Sequence, residues 1–288
     1  MGAHIHQIYY SDGTRSQLDP GFIPLDNTPN LRADWREYWP IRNWLKSNSL
    51  RDDGYYGFFS PKFANKTRLD AARVHAFIDK AAGVPDVILF SPFFDQSAFS
   101  LNVFIQFHVH KDGNEVMRES IKYIMPGFEH LTNSVLMDSR NTVFCNYFVA
   151  KPRFWAVWLE HCEMLFALAE AAESPLAKML NSDVIHDGAH AQNKVFVIER
   201  IASWLLVTHQ FTSLAYDPWL LPHSNSWVAK YRNELIQLDA LKIALGVQGY
   251  PCYFEEYERL RGHVTSLASK DKLAAETRSS IKMESQRK

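Results

Sequence analysis

Short apolar runs alternate with amphipathic stretches along this chain. Residues 5–10 are β-branched and aromatic and stop at Ser11-Asp12-Gly13, which predicts a strand. Residues 22–25 predict a second strand, followed by a polar loop over 26–30. From Asp34 to about Ser47, Trp35, Tyr38, Trp39, Ile41, Trp44 and Leu45 predict a helix, with Pro40 marking a kink or a start. Residues 55–60 read as a buried strand stopped by Pro61, and residues 67–82 as a helix with an apolar stripe through Leu69, Val74, Phe77 and Ile78. A strand is expected over 86–90 and a helix over 115–125, while 103–110 fits either state. Residues 141–150 predict a strand, and Pro152 then opens a helix to about Ala172. Helices follow over 191–208, 233–245 and 253–261, with a loop over 214–226. Strands separated by helices predict an α/β fold, a mixed sheet flanked by helices in one domain over 1–265. The polar stretch 266–288 predicts a frayed tail. In such sheets ligands sit where loops leave the carboxyl ends of strands, here 11–13, 26–30, 60–66, 91–97 and the segment after 150.

Composition narrows the function classes. With 31 basic against 32 acidic residues the chain lacks the basic footprint of a nucleic-acid binder, so no nucleic-acid partner is expected. Three cysteines without Cys-x-x-Cys spacing fit neither a disulfide framework nor a zinc site and suggest a reducing compartment. No signal peptide is read at the start, and no apolar run reaches the ~18–20 residues of a membrane span. A cytoplasmic location is expected. Aromatics at 14% exceed ordinary use, and their faces pack on the core or on sugar rings.

Several segments carry candidate chemistry. Tyr55-Tyr-Gly-Phe-Phe-Ser-Pro-Lys-Phe63 delivers Ser60 and Lys62 to a loop at a strand end, where a lysine can face a diphosphate or simply be solvated. Asp187-Gly-Ala-His-Ala-Gln-Asn-Lys-Val-Phe-Val-Ile-Glu-Arg200 leads a polar loop into an apolar helix holding Glu199 and Arg200. A carboxylate in such a run serves as a general base or forms a structural ion pair. His108-Val-His110, with Asp112, would share a strand face and could suit a metal, though such pairs are most often surface residues. Nucleotide loops of the Gly-x-Gly-x-x-Gly and Gly-x-x-x-x-Gly-Lys-Ser/Thr types are absent, as is a Gly-x-Ser-x-Gly elbow.

Taken in order, these segments resemble a family of bacterial GT-A-like glycosyltransferases found in capsule, O-antigen and other surface-polysaccharide gene clusters. The resemblance rests on the aromatic helix Trp35-Arg-Glu-Tyr-Trp-Pro-Ile-Arg-Asn-Trp-Leu45 and the strand Tyr55-Tyr-Gly-Phe-Phe59. It continues through Asn146-Tyr-Phe-Val-Ala-Lys-Pro-Arg-Phe-Trp155 and Phe196-Val-Ile-Glu-Arg-Ile-Ala-Ser-Trp-Leu205. It covers about residues 5–210. Ser60-Pro-Lys-Phe63 stands where that family has His-Tyr-Arg-Arg, so one lysine remains of its paired cations and the chain resembles a divergent relative.

The resemblance implies transfer of a sugar from a nucleotide-activated donor to a glycan or lipid-linked acceptor. It implies Glu199 as base, with Arg200 orienting it or the acceptor, and Lys62 with Arg36 or Arg200 at the leaving phosphate. Tyr10, Asp26, Asn27 and Ser60 complete the donor side, while Asn146, His186, Asp187 and His190 face the acceptor. No cofactor is firmly implied: a divalent Mn or Mg ion is unsupported, because the chain has no Asp-x-Asp tripeptide. A lipid-linked acceptor would bring peripheral contact with the inner face of the cytoplasmic membrane. The alternatives are a metal-dependent hydrolase using His108, His110 and Asp112, and a non-catalytic binding relative.

Overall fold

The computed structural model describes residues 2–81, 84–107, 113–186, 189–224 and 226–285. In chain order the elements are β1 (Gly2–Tyr9), α1 (Asp12–Arg15), β2 (Ile23–Asp26), α2 (Tyr38–Ser47), β3 (Gly54–Phe59), α3 (Phe63–Thr67), α4 (Ala71–Asp79), β4 (Val87–Leu89), α5 (Phe94–Phe99) and α6 (Val103–Gln106). They continue as α7 (Gly113–Ile124), β5 (Phe148–Ala150), α8 (Pro152–Ala171), α9 (Pro175–Leu180), β6 (Asp183–His186), β7 (Ala189–Gln192), α10 (Asn193–Thr208), β8 (Ser213–Ala215), α11 (Arg232–Gln248) and α12 (Pro251–Ser285).

Six strands form one mixed sheet in the order β2-β1-β3-β5-β4-β8. All run parallel except β5, which is antiparallel to both neighbours, β3 and β4. Helices cover both faces, which is why β3 is buried along its whole length rather than on alternate residues. The two-residue period still decides which core each side chain joins. Tyr56, Phe58, Val87, Leu89, Phe148 and Ala150 point to a large core under α2, α7, α8 and α10. Tyr55, Phe59, Ile88, Phe90 and Val149 point the other way, onto α3 and α4. A third cluster joins α5 to α11 and α12 through Phe94, Leu235, Leu238 and Tyr257. At the centre of the sheet, Gly57 lies opposite Val149, and a Cβ there would come within 2.5 Å of the valine side chain. Only glycine lets β3 and β5 close at this point.

The predicted α/β class and most elements match the structure, and the departures have local causes. Pro40 sits in the first turn of α2, where a missing N–H is harmless. The strand expected over 141–150 is cut to Phe148–Ala150, because Cys145 and Asn146 take left-handed backbone, with φ of 60° and 53°. The predicted loop over 214–226 begins inside the edge strand β8, an element the prediction lacks. The predicted tail from 266 is helical through Ser285. Its Lys, Ala and Glu residues are good helix formers, and Asp271 ties it to Lys230 and to the Tyr231 hydroxyl, 2.8 Å away. Among the described residues no helix is long and apolar enough to cross a membrane.

Candidate functional site

A cleft of about 1300 Å³ opens where the parallel strands end. The end of β1 supplies Tyr10, the turn after β2 supplies Asn27 and Asn30, and the turn after β3 supplies Ser60 and Lys62. The segment after β4 supplies Phe93 and Gln96. This is the position expected of a ligand site in an open α/β sheet. The segment after Ala150, expected to join it, does not. Strand β5 runs backwards, so its leading residues Phe144 and Cys145 reach the cleft instead.

One face of α10 forms a wall. Gln192, Val195, Phe196, Glu199 and Arg200 recur at helical spacing and all line the cleft. Across from them lie Arg36 and Glu37, at the start of α2. Arg36 has φ 49° and ψ −132°, a strained backbone for a residue with a side chain, and its guanidinium donates to the His190 carbonyl at 2.9 Å. That bond holds the β6–β7 hairpin against the cleft. Lys194, one step round α10, does not line the cleft and ties α10 to its neighbours instead. Its ammonium lies 2.6 Å from Asp34 and 2.9 Å from Asn181 and sits over the Trp35 ring. Burial would raise the Asp34 carboxyl, but Arg32 and Lys194 outweigh it and hold the group at about 2.

Glu199 and Arg200 are adjacent in sequence but differ in role. Arg200 is spent on structure: it donates to the carbonyls of Val103 and Phe196 and to Gln106, each at 2.9 Å, and stacks on Phe107. Burial pushes its guanidinium down to about 10. None of these three bonds goes to Glu199, but the Arg200 charge acts on that carboxyl and the residue also lines the cleft. Among the described residues nothing hydrogen-bonds to the Glu199 carboxylate. Burial pushes this carboxyl up, against the opposing charge of Arg200. Glu37 pushes it further, while Lys66 and Arg36 pull it down.

A narrow recess of about 40 Å³ leads inward from this point, between Arg36, Glu37, Ser60, Lys66, Asn146 and Glu199. Ser60 and the Tyr147 hydroxyl share a hydrogen bond of 2.6 Å. Lys66 donates to the Cys145 sulfur at 3.1 Å. Burial disfavours the Lys66 charge, yet Cys145, Glu199 and Glu37 raise its pKa overall. Burial pushes the Cys145 thiol up to about 12, which makes it a poor nucleophile. Asn146 is 8% exposed, and its Oδ1 has no hydrogen-bond partner among the described residues.

The other expected residues scatter. Lys62 is exposed at the cleft rim. Asp26 does not line the cleft. Its carboxylate accepts from the Thr28 N–H at 2.7 Å, which holds its pKa below the ordinary carboxylate value. His190 borders the cleft, whereas the His186 side chain and Asp187 lie outside the described residues, as do His108, His110 and Asp112. Sequence reasoning missed Lys66 and Glu37. Lys66 had a signal, since it follows Lys62 by four residues across a single helical turn. Among the described residues, no group of three or more His, Cys, Asp or Glu is placed to hold a metal ion. Compared with known proteins, the chain matches no family model, no curated protein and no solved structure.

Proposed function

We propose that this protein is a glycosyltransferase that moves a sugar from a nucleotide-activated donor to a glycan or lipid-linked acceptor hydroxyl, on a GT-A-like variant of the α/β fold. The observation that carries this reading is the carboxylate of Glu199: raised in pKa, without a hydrogen-bond partner among the described residues, and set in a large cleft among cations. A carboxyl group whose pKa is raised in this way is a stronger base than an exposed carboxylate. In the reaction the acceptor hydroxyl gives its proton to Glu199 as its oxygen bonds to the anomeric carbon. The bond from that carbon to the phosphate oxygen breaks, and the nucleotide leaves with the electron pair. Lys62, Lys66 and Arg36 are the cleft cations available to stabilise its charge. Tyr10, Asn27 and Ser60 lie on the strand-end side, where the donor would sit. The resemblance of the sequence, in the order of its segments, to the surface-polysaccharide enzymes favours sugar transfer over other uses of a carboxylate base.

The test is a thermal-shift panel of UDP, GDP, CMP, dTDP and their sugar conjugates, each with EDTA or Mn²⁺. Selective stabilisation by one nucleotide is expected. A panel in which none binds, with or without a glycan acceptor present, would remove the transferase reading.

A further inference from the structure

Helices α11 and α12 form a hairpin whose base and tip differ. The base packs on α5 through Leu235, Leu238, Tyr257 and Leu260. The tip stands clear of that cluster. From Ile243 to Phe254 the chain carries no charged side chain, and residues 246–252 are all exposed. The last fully buried residues are Lys242 on α11 and Tyr257 on α12. At 1.5 Å per residue, the stretch from Lys242 to Gln248 carries the tip about 9 Å past this layer. Gly249, at φ 71°, ends α11 in the left-handed conformation, and Pro251 opens α12. This sharp turn leaves Val247, Tyr250 and Phe254 in water, 63%, 57% and 41% exposed, with Tyr250 and Tyr253 stacked at 6.2 Å.

Size and charge narrow what covers this tip. A stable protein interface takes about 20–30 residues a side, and the tip offers only a handful. A nucleic acid or an anionic headgroup would need free cations. Those nearby are already paired: Arg259 with Glu256 at 2.6 Å, Arg261 with Glu258 at 3.2 Å, and Arg140, beside Gly246, with Asp138 at 2.7 Å. Glu255 adds a negative charge at the rim. A bilayer of neutral headgroups needs neither a broad surface nor a basic one. Its interface takes up apolar side chains to a depth of about 5–10 Å, which the reach of the tip matches. Tyrosine, with an apolar ring and a polar end, is favoured at the level of the headgroups. We propose that the α11–α12 tip enters the interfacial layer of a lipid bilayer, with Val247 and Phe254 toward the acyl chains and Tyr250 and Tyr253 among the headgroups. None of these residues lines the cleft, and the proposal stands independently of the sugar-transfer reading.

The chain carries its own labelling site for the test. Cys252 is exposed at the tip, whereas Cys162 is buried and the Cys145 thiol, pushed up to about 12, is unreactive at neutral pH. An NBD fluorophore on Cys252 of the full chain is titrated with phosphatidylcholine vesicles. It should brighten and shift to the blue, and lipids with a quencher near the headgroup should quench it. Unlabelled protein should co-sediment with the same vesicles at low and high salt alike. The combined variant Val247→Ser, Tyr250→Ser, Phe254→Ser should lose roughly tenfold or more of that partitioning, with its melting temperature unchanged. Should the variant unfold, the label alone decides. An unchanged label, or equal sedimentation of a folded variant, overturns the proposal. Binding confined to phosphatidylserine vesicles and lost in salt also overturns it, since that is an electrostatic contact made elsewhere. Dimerisation in solution that the triple substitution abolishes would instead give the tip to a second copy of the chain. A failed nucleotide panel removes the transferase reading and leaves this contact untouched.

Discussion

Lys242 and Glu199 are both ionisable groups set inside the protein, but their surroundings are opposite. Lys242 is fully buried between α11 and α5, and its ammonium donates to the carbonyls of Ser97, Ser100 and Met137, the last two at 2.9 and 2.6 Å. Asp239 lies one helical turn earlier, taking the Ser139 hydroxyl and N–H at 2.6 and 2.9 Å. Every ammonium proton has an acceptor. Burial lowers the Lys242 pKa to about 8, with Asp239 opposing the shift, so the cation is present at neutral pH as a cross-link between chain segments. Among the described residues Glu199 has no such set of partners, and Asn146 beside it has none for its oxygen. A buried polar group whose bonds are complete is a structural part. One whose bonds are missing is stabilised by something that binds, or weakens the fold for the sake of chemistry.

Four experiments would break or sharpen this contrast. The largest effect should come from Lys242→Met, which orphans three carbonyls at once. We expect a loss of about 3–5 kcal/mol, read as a lower urea midpoint, with the cleft's ligand affinity intact where the fold survives. A loss under about 1 kcal/mol would mean that the network is not structural. Glu199→Gln should leave nucleotide affinity within about twofold yet lower turnover by roughly 10²–10⁴-fold. It should also raise the melting temperature at neutral pH. The reason is the sign of linkage: a carboxyl raised by folding binds protons more tightly in the folded state, so its contribution is lost as pH climbs above its ordinary value. A variant that is less stable and fully active would place Glu199 with Lys242, as structure.

His6 gives a smaller effect at a third kind of site. It is 5% exposed, stacked on Phe58 at 5.2 Å and packed on Trp44, and its Nδ1 has no hydrogen-bond partner among the described residues. Burial lowers its pKa from 6.5 to about 4, so the unfolded chain takes up the proton first. Stability attributable to His6 is full above pH 6.5 and declines toward pH 4, by up to about 3 kcal/mol. Denaturant curves at pH 7 and 4.5 for wild type and His6→Phe should show this slope in the wild type only. The smallest effect is expected for the exposed Lys62. Lys62→Ala should weaken nucleotide binding by roughly threefold to fivefold, and less at high salt. If it matches the loss in Lys66→Ala, the rim cation matters as much as the inner one.

The sheet's α/β character, the helices over 152–171 and 193–208 and the cleft-lining turns after β2 and β3 were legible in the sequence, whereas residues 11–13 after β1 do not line the cleft. Each legible feature is set locally, by apolar periodicity and by Pro, Gly, Asn and Asp at the ends. Edge strand β8 was not legible. It has three residues, none fully buried, and is a strand only because β4 offers it hydrogen-bond partners. Arg200 reads in sequence as a partner of its neighbour Glu199. In space its fork reaches Val103 and Gln106, about a hundred positions earlier, which no local pattern announces.

The sequence alone determined the alternation of strands and helices, the near-neutral charge and the presence of a carboxylate inside an apolar helix. Tertiary structure decided what that carboxylate meets. The reversal of β5 brings Cys145 and Asn146 to the cleft, and the strained turn at Arg36 carries Glu37 across to them. Lys66 is set between them by a single helical turn. The physical reason is one of range. Periodicity and turn chemistry act over a few residues and are written in order along the chain. The pKa of a buried group depends on all charges and bonds within several ångströms, whatever their distance in sequence.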